Sequence, residues 1–508
     1  MILDDSITSR EMRAVEMNAE YLGVSRLQLM ENAGRAVAEA VVGRFGAKTD
    51  VTVVCGLGGN GGDGFVTARH LAGAGYQVEV LLLGRPENIT SDEASANWIA
   101  LKNMSGSVVI QEIHDSADIQ PLKAGVIIDA LIGTGVRGPL SSPFKEMVQA
   151  MNRSGGFKIA VDIPTGVESD SGEAPGAVVA ADLTLTFHKP KTGFAKAGKC
   201  LGQLVVCPIG IPPEAEEYAG PGDVYLASKH RAPESHKGDF GRVLVIGGSE
   251  TYSGAPALTA MGAYAVGVDV VYVAAPETAA SIIAGFSPSL ITVKLKGDRL
   301  SPKNLEKVSQ FLDRVDAVAI GPGLGLQEET VEAANAVLGQ IEERKLPVLI
   351  DADALKAFAQ EKRRVGTRTV FTPHHGEFKI LTGRTVDGGF REQGETVREE
   401  ASRLGATILL KGHVDVVSDG VHTRYNWTGN PGMTVGGTGD VLSGVSAGFM
   451  AMGIPPFEAA VAGAFVNGAA GDAAYMEKGY HLEPLDLIRK IPDVIEDSLA
   501  RRMRRTNE

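Results

Sequence analysis

Glycine-rich turns beside carboxylates mark the places in this sequence where chemistry is expected. The clearest is GGTGD (436–440), in which glycines precede Asp440 at the start of a predicted helix. Successive glycine amides at a helix start can bind an anion, and a carboxylate on the first turn can take a proton from a hydroxyl that attacks phosphorus. The pattern predicts phosphoryl transfer with Asp440 as the base. The alternative is an ordinary capped helix with a glycine-rich beginning.

Three further motifs in the same half of the chain fit nucleotide chemistry. They are GPGLG (321–325), PHHGE (373–377) and LLKG (409–412). Lys411, at the end of a predicted strand, either contacts a nucleotide phosphate or extends to solvent. His374 either contacts a ligand or only caps a turn. The sequence contains no Walker A pattern, so a P-loop kinase is excluded.

The N-terminal half carries its own glycine-rich turn, GLGGNGGDG (56–64), between a predicted strand and a predicted helix. Gly56, Gly58 and Gly61 have the spacing G-x-G-x-x-G. That spacing is typical of a dinucleotide-binding turn, where backbone amides approach a pyrophosphate. A tight turn that needs positive φ would explain the same glycines.

Two more loops, DALIGTGVRGPL (129–140) and VDIPTGVESDSG (161–172), follow predicted strands of the same half. Ligands gather at the carboxyl ends of parallel strands. We therefore expect four polar residues of these loops to converge on one crevice. They are Asn60, Asp129, Asp162 and Thr165. Their oxygens together suit a hard cation, although each residue alone could simply stabilise a turn.

The elements that must position these loops alternate between short β-branched runs and helical patterns. VTVVCG (51–56) predicts a strand and 62–75 a helix, and the rhythm restarts at RVLVIGGS (242–249). Such alternation predicts an α/β protein with parallel sheets covered on both faces. The Pro- and Gly-rich stretch before the restart places a domain junction near Gly220–Asp223. We predict two three-layer α/β/α domains, residues 1–220 and 221–508.

Composition limits the function classes. The net charge of −13 argues against a nucleic-acid partner, and 44% hydrophobic residues indicate an ordinary globular chain. No apolar run is long enough for a membrane span, and the first residues lack a signal peptide's apolar region. The three cysteines form no C-x-x-C pattern, which excludes a zinc site of that type. We expect a cytoplasmic protein without membrane partners.

The combined motifs resemble a known family. LMENAG (29–34), GNGGDG (59–64), DALIGTG (129–135) and VDIPTG (161–166) are similar to NAD(P)H-hydrate epimerases. The motifs of the second half are similar to NAD(P)H-hydrate dehydratases, which belong to the ribokinase-like superfamily. They are HKGDFGRVLVIGGS (236–249), YSGAP (252–256), GPGLG, DADAL (351–355), PHHGE and NPGMTVGGTGDVLSG (430–444). The chain thus resembles the bifunctional nicotinamide-nucleotide repair family over residues 1–495, with a Rossmann-like N-terminal and a ribokinase-like C-terminal domain.

The resemblance implies roles for individual residues. In the epimerase half it implies these substrate contacts: Gly59, Asn60, Gly61, Gly62, Asp63, Gly133, Thr134, Gly135, Val136, Arg137, Gly138, Pro139 and Asp162. Asp162 is the candidate acid/base, and Asn60, Asp129 and Thr165 would hold K⁺. In the dehydratase half it implies hydrate contacts at Ala255, Gly323, His374 and Asp440. The implied nucleotide contacts are Lys411, Gly412, His413, Val414, Asp415 and Gly439.

Two residues depart from the family pattern. Gly59 stands where an Asn is usual, which removes one side-chain contact and leaves Asn60 with the backbone amides. His375 stands where Pro is common, next to the implied contact residue His374.

The resemblance implies interconversion of the R and S hydrates of NADH and NADPH, and nucleotide-dependent dehydration of the S form. ADP is the expected phosphoryl donor, although the residues leave ATP open. Mg²⁺ is expected with the nucleotide, and a homo-oligomer is expected. A vitamin-precursor kinase fused to a dinucleotide-binding module is one alternative, since such kinases share the GGTGD type of motif. A nucleotide-sensing scaffold without activity is another.

Overall fold

The computed structural model describes residues 5–361 and 365–503. The chain forms two compact units, one ending at Pro213 and one running from Glu214 to Ala500. In each unit, helices cover a sheet whose strands are mainly parallel. The predicted α/β class with two layered domains is therefore confirmed. Within the described residues, no helix is both long and apolar enough to cross a membrane.

The described part of the first unit contains a seven-stranded parallel sheet with strand order β3-β2-β1-β4-β5-β6-β7. Its strands are β1 Val51–Cys55, β2 Val78–Leu83, β3 Val108–Ile113, β4 Val126–Ala130, β5 Phe157–Val161, β6 Leu183–Phe187 and β7 Gln203–Cys207. Its helices are α1 Ser9–Tyr21, α2 Arg26–Val42, α3 Gly59–Gly73, α4 Asp92–Lys102, α5 Phe144–Arg153 and α6 Phe194–Ala197. Strands β1 and β4 are buried along their whole length, as expected for the centre of a covered sheet.

The described part of the second unit contains a nine-stranded sheet with order β10-β9-β8-β11-β12-β13-β14-β15-β16, antiparallel only at its last two pairings. Its strands are β8 Arg242–Ile246, β9 Val270–Pro276, β10 Ile291–Leu295, β11 Ala317–Ile320, β12 Val348–Ile350, β13 Thr369–Phe371, β14 Thr407–Leu410, β15 Asp415–Ser418 and β16 Thr423–Asn426. Alternate residues of β8 enter different cores, Val243 on one face and Leu244 on the other. This alternation is what a sheet covered by helices on both faces requires.

The helices of the second unit complete its two outer layers. They are α7 Glu214–Glu217, α8 Pro221–Ala227, α9 Gly254–Ala265, α10 Glu277–Ala284, α11 Leu305–Leu312, α12 Glu328–Glu343, α13 Ala352–Ala359, α14 His375–Thr382, α15 Phe390–Leu404, α16 Thr438–Ala451, α17 Pro456–Lys478 and α18 Pro484–Met503. Helix α16 lies directly against α9. A Cβ atom at Gly444 would be 1.9 Å from the Thr259 carbonyl oxygen, so this close approach requires glycine. This packing of α16 on α9 fixes the position of the first turn of α16, which contains Asp440.

The units divide at Pro213–Glu214, ahead of the junction that composition predicts near Gly220–Asp223. The intervening residues belong to the second unit because they bond to β16. The Ala219 amide donates to the Tyr425 carbonyl at 2.8 Å, and Arg424 forms an ion pair with Asp223 at 2.8 Å. These contacts join residues that are far apart in the chain, and composition does not reveal them.

Candidate active sites

A cavity of about 500 Å³ opens in the first unit at the carboxyl ends of the central strands. Seven of the predicted contact residues line it: Gly59, Asn60, Asp63, Gly133, Thr134, Gly135 and Asp162. Charged side chains of other elements complete the wall, namely Arg13, Glu16, Arg26, Glu93 and Lys191. The loops that follow the strands therefore line one pocket at the carboxyl ends of the parallel strands, as expected. The pocket carries both positive and negative side chains.

Asp162 follows β5 directly and has a left-handed backbone, with φ of 61°. Its Oδ1 atom accepts three hydrogen bonds, from the Thr186 hydroxyl at 3.0 Å, the Phe187 amide at 3.1 Å and the Lys191 ammonium at 2.7 Å. Its Oδ2 atom accepts none from the described residues. Only a short polar residue such as Asp or Asn adopts this backbone readily. The carboxylate thus has one satisfied oxygen and one available oxygen.

Asp129 and Thr165 lie against each other and do not line the cavity, contrary to the expectation that they open into a shared crevice. Both are fully buried. The Thr165 amide and hydroxyl donate to Asp129 at 2.8 and 2.7 Å, and Leu131 donates its amide at 3.3 Å. Burial raises the pKa of Asp129 to about 6, against these hydrogen bonds, which lower it. Among the described residues, no basic side chain contacts this carboxylate.

Asn60 is on the first turn of α3, which begins at Gly59, ahead of the predicted start at 62. Its amide nitrogen is buried and has no hydrogen-bond partner within the described part of the chain. Its side chain lies beside the Gly133 backbone, where a Cβ atom would be 3.1 Å from Oδ1. The close approach of Asn60 and Gly133 joins two of the predicted loops.

Gly56, Gly61 and Gly62 of the 56–64 loop lie in close contact with neighbouring parts of the protein. A Cβ atom at Gly61 would be 1.9 Å from the Gly56 carbonyl oxygen, and one at Gly56 would be 2.0 Å from the Leu131 carbonyl oxygen. Gly61 and Gly62 are buried and do not line the cavity. None of Gly56, Gly58 and Gly61 has a positive φ, so the positive-φ explanation is wrong, and close approach of backbone to backbone accounts for Gly56 and Gly61. Four more predicted contacts are also outside the cavity wall: Val136, Arg137, Gly138 and Pro139.

Asp63 differs from Asp162 in its surroundings. Burial raises the pKa of Asp63 well above its usual range, and the negative charges of Asp162, Glu16 and Glu93 raise it further. Asp162, in contrast, has an ammonium partner. The cavity therefore holds one carboxyl group that favours its protonated form beside one that is paired with a cation.

In the second unit, Asp440 is the third residue of α16 and is surrounded by other charged groups. Burial raises its pKa to about 7, the negative charge of Asp351 adds to this effect, and the Lys411 ammonium opposes it. The Lys411 ammonium also lies beside Gly439, 3.5 Å from where a Cβ atom would be. Asp440, Gly439 and Lys411 therefore share one site, as the motifs predict.

The amides before Asp440 are available to a ligand. No described residue accepts a hydrogen bond from the amides of Gly436, Gly437, Thr438 or Gly439, because these groups come before the repeating bonds of α16. The positive end of the helix dipole adds to their attraction for an anion. This arrangement can hold a phosphoryl group next to the Asp440 carboxylate.

The Lys411 ammonium forms an ion pair with Asp351, 3.0 Å from Oδ1, and the side chain remains partly exposed. The buried Ser443 hydroxyl donates to the other oxygen of Asp351 at 2.7 Å. Burial pushes the pKa of Asp351 up, but Lys411 and Ser443 together hold it below its usual value. Asp351 is thus a buried, charged residue that fixes the Lys411 side chain.

The other predicted residues occupy two groups around this centre. His374 caps α14, its Nδ1 atom accepting from the Gly376 and Glu377 amides at 3.0 and 3.3 Å, and pairs with Lys411 through an isolated β-bridge. This is the capping alternative, and the largely exposed ring has its Nε2 atom 3.5 Å from Glu377 Oε2. Ala255 and Gly323 are neighbours, and the loop of Gly323 packs on the Asp351 carbonyl through Gly321.

The predicted nucleotide segment 411–415 forms a turn between β14 and β15. The Asp415 carboxylate accepts the Gly412 amide at 3.0 Å and the Asn426 side-chain amide at 3.0 Å. Val414 packs into the core, so its side chain is unavailable to a ligand. The exposed His413 ring lies 6.4 Å from the Trp427 ring.

Three residues that contact the sites are not identified by any sequence pattern: Lys191, Ser443 and Asp351. Lys191 lies in FHKPKTG and Ser443 in VLSG, where no spacing distinguishes them from neighbouring lysines and serines. Asp351 lies in the DADAL motif, and its position after a buried strand was the one available signal. Each becomes visible only through its bond to a distant carboxylate or ammonium.

Comparison with known proteins agrees with both halves of the chain. Residues 243–493 match the family model described as NAD(P)H-hydrate dehydratase, and residues 26–193 match the one described as YjeF-related protein N-terminus. A solved structure of a hypothetical protein from Streptococcus mutans aligns with a TM-score of 0.50 and 26% identity, over 55% of this chain and 99% of that one.

Curated relatives match along nearly the full length. A bifunctional NAD(P)H-hydrate repair enzyme of Hyperthermus butylicus is 46% identical over 98% of this chain and 93% of its own length. One from Pyrobaculum aerophilum is 47% identical over 97% of this chain and 98% of its own length. Since both halves are matched together in single relatives, this chain belongs to the family of bifunctional NAD(P)H-hydrate repair enzymes.

Proposed function

We propose that this chain repairs hydrated NADH and NADPH through two activities. The N-terminal domain, predicted as residues 1–220, interconverts the R and S hydrates. The C-terminal domain, predicted as 221–508, dehydrates the S form at the expense of ADP. One observation supports this most strongly: Asp440 lies beside unpaired amides at the start of α16, next to the Lys411 ammonium.

The dehydration is a phosphoryl transfer followed by an elimination. Hydroxide is a poor leaving group, so the C6 hydroxyl oxygen first attacks the β-phosphorus of ADP. AMP leaves as the bond to its bridging oxygen breaks, and the hydroxyl proton passes to Asp440. The C6–O bond then breaks with release of phosphate and loss of a proton from C5, which restores the dihydropyridine. The amides of residues 436–439 stabilise charge on the transferred group.

The environment of Asp440 suits a base at neutral pH, because a pKa near the working pH favours both removal and return of a proton. We predict that its carboxyl group titrates near pH 7, as Asp351 and burial raise its pKa and Lys411 lowers it. Lys411→Met should therefore raise that midpoint, and Asp351→Asn should lower it. Carbon-13 NMR of aspartate-labelled protein measures both shifts, with the Asp440→Asn spectrum for assignment. Shifts in the same direction would contradict the charge arrangement.

Asp440→Asn is the direct test of the dehydratase base. We expect kcat for S-hydrate dehydration to fall by about 10²–10⁴-fold, with hydrate binding unchanged because shape and size are kept. The measurement is the return of dihydronicotinamide absorbance with ADP or with ATP as donor.

Asp313→Asn is the control, since Asp313 pairs with Arg344 on the surface of the same unit. Unchanged turnover in Asp440→Asn would remove the assigned role. Accumulation of a stable phosphorylated hydrate by the wild-type chain would instead favour the kinase alternative.

Epimerisation requires a bond of C6 to break and re-form on the other face of the ring. If C6–O breaks, a proton must reach the departing hydroxyl and another must leave the incoming water. If C6–N breaks, the hydroxyl proton is removed as the carbonyl forms and is returned on closure. Both routes need a group that takes and returns one proton. The available Oδ2 atom of Asp162, in the cavity wall, can do so.

Asp162→Asn is the test for this half. Asn tolerates the left-handed backbone of residue 162, whereas Ala would add strain. We expect the catalysed exchange of separated epimers to slow by about 10²–10⁴-fold, while dehydration of pure S-hydrate is spared. Chromatography of the epimers follows the first activity and absorbance the second. Equal loss of both activities would argue against two separate sites.

The polar residues beneath the cavity fit a monovalent cation. Asp129 is a fully buried carboxylate without a basic partner among the described residues. Asn60, Asp129 and Thr165 offer only oxygen atoms of the kind that hard cations prefer. These three residues would hold K⁺, which would supply positive charge to the site.

Potassium binding should stabilise the first unit. We expect a higher melting temperature in KCl than in tetramethylammonium chloride at equal ionic strength, about 2–4 °C for each kcal/mol of binding free energy. Asp129→Asn keeps the size of the side chain but removes its charge and one of its two acceptor atoms, so it should abolish this difference. Calorimetry of both proteins measures it. An equal response of the variant would show a general salt effect.

Mg²⁺ fits the second site as a companion of the nucleotide. No described group of three or more acidic, histidine or cysteine side chains is placed to hold a metal by itself. Mg²⁺ commonly binds through phosphate oxygens and water with only one or two carboxylates, so ADP would bring most of its ligands. A cytoplasmic homo-oligomer remains the expected form of the protein.

A further inference from the structure

Lys191 is a buried lysine in the wall of the first unit's cavity. It follows β6, and only 1% of its side chain is exposed. Its ammonium group contacts Asp162 Oδ1 at 2.7 Å, the Thr186 hydroxyl at 3.1 Å, and the carbonyl oxygens of Phe187 and Lys189 at 3.2 and 3.3 Å. Burying an ammonium is unfavourable unless it is paired and hydrogen-bonded. These contacts satisfy it completely.

The arrangement determines which oxygen of Asp162 can react. Lys191, Thr186 and the Phe187 amide all donate to Oδ1, and none of the described residues donates to Oδ2. The left-handed backbone of Asp162 brings the carboxylate over these three donors. Oδ2 is thereby the oxygen left for a ligand in the cavity.

We propose that Lys191 is a positioning residue for proton exchange at C6 of the hydrated ring: it holds the Asp162 carboxyl group in one orientation, with Oδ2 as the atom that exchanges the proton. The inference rests on the proposed epimerase function. Lys191 does not itself exchange a proton with the substrate, because all of its contacts are directed at Asp162, Thr186 and backbone carbonyls. It acts through the carboxylate.

A purely structural role would be to tie the end of β6 to the end of β5, through the same ion pair. Such a role predicts that loss of the ammonium lowers stability without changing kcat of the folded protein. A positioning role predicts a lower kcat with KM retained, since ground-state contacts of the ring remain while the reacting oxygen moves. The two roles therefore separate in the kinetics of the folded variant.

The test compares Lys191→Met with Lys189→Met in the full chain. Met keeps the length and apolar stem of the lysine but not its charge, and Lys189 pairs with Asp5, outside the cavity wall. We expect kcat for epimer exchange to fall by about 10²-fold in Lys191→Met, the cost of a misplaced reacting group, with KM unchanged. Lys189→Met should match wild type, and S-hydrate dehydration should be normal in both.

Chemical rescue gives a second readout if Lys191→Met folds poorly. Lys191→Ala leaves room for a small amine beside Asp162. Ethylammonium should restore part of the lost exchange rate in a saturable manner, while ethanol of similar size should not. Equal restoration by both would show that filling the space is what matters, and would overturn the positioning role.

The outcomes separate this inference from the function on which it rests. If the wild-type chain does not accelerate epimer exchange, the proposed epimerase function fails. If it does, and folded Lys191→Met retains wild-type kcat, Lys191 is only structural. A fall in kcat restored by the amine and not by the alcohol supports the positioning role.

Discussion

Buried carboxylates are the constraint on which both sites depend, because a negative charge removed from water must be compensated locally. Three different solutions occur in this chain. Asp162 and Asp351 each have a lysine, at 2.7 and 3.0 Å. Asp129 has only amide and hydroxyl donors, and its pKa rises. Among the described residues, Asp440 has neither a direct cation nor a hydrogen-bond donor, and its pKa rises to about 7, which suits proton exchange at neutral pH.

In each of the two pairs a lysine compensates the charge of an aspartate, but only one of these aspartates is assigned to proton exchange. Lys191 bonds directly to the carboxylate that we assign to proton exchange, so it can set the orientation of that carboxylate. Lys411 bonds to Asp351 and affects Asp440 only through the field. The first pair fixes a reacting atom. The second fixes the ammonium beside Gly439, where the phosphoryl group of the proposed reaction would lie.

Glycine has two separate roles in these sites, and sequence spacing alone does not distinguish them. Gly61 allows backbone to pack on backbone within the 56–64 loop, and Gly444 allows α16 to pack on α9. Gly436 and Gly437 instead precede a helix and leave amides unpaired. A glycine-rich motif therefore marks a place of close approach, but the approaching group can be a ligand or the protein itself.

Local signals in the sequence were sufficient for the α/β alternation, for the strand end at Asp162 and for the helix start at Asp440, because strand and helix patterns depend on neighbouring residues. The remaining features of the sites and the domain boundary depend on residues that are distant in the chain. The burial of Asp129 with Thr165, the pairing of Lys191 with Asp162, and the position of residues 214–220 all depend on contacts across the sheet. Such contacts leave no local pattern in the sequence, because the residues next to a lysine do not show whether it forms a buried ion pair or is exposed to solvent.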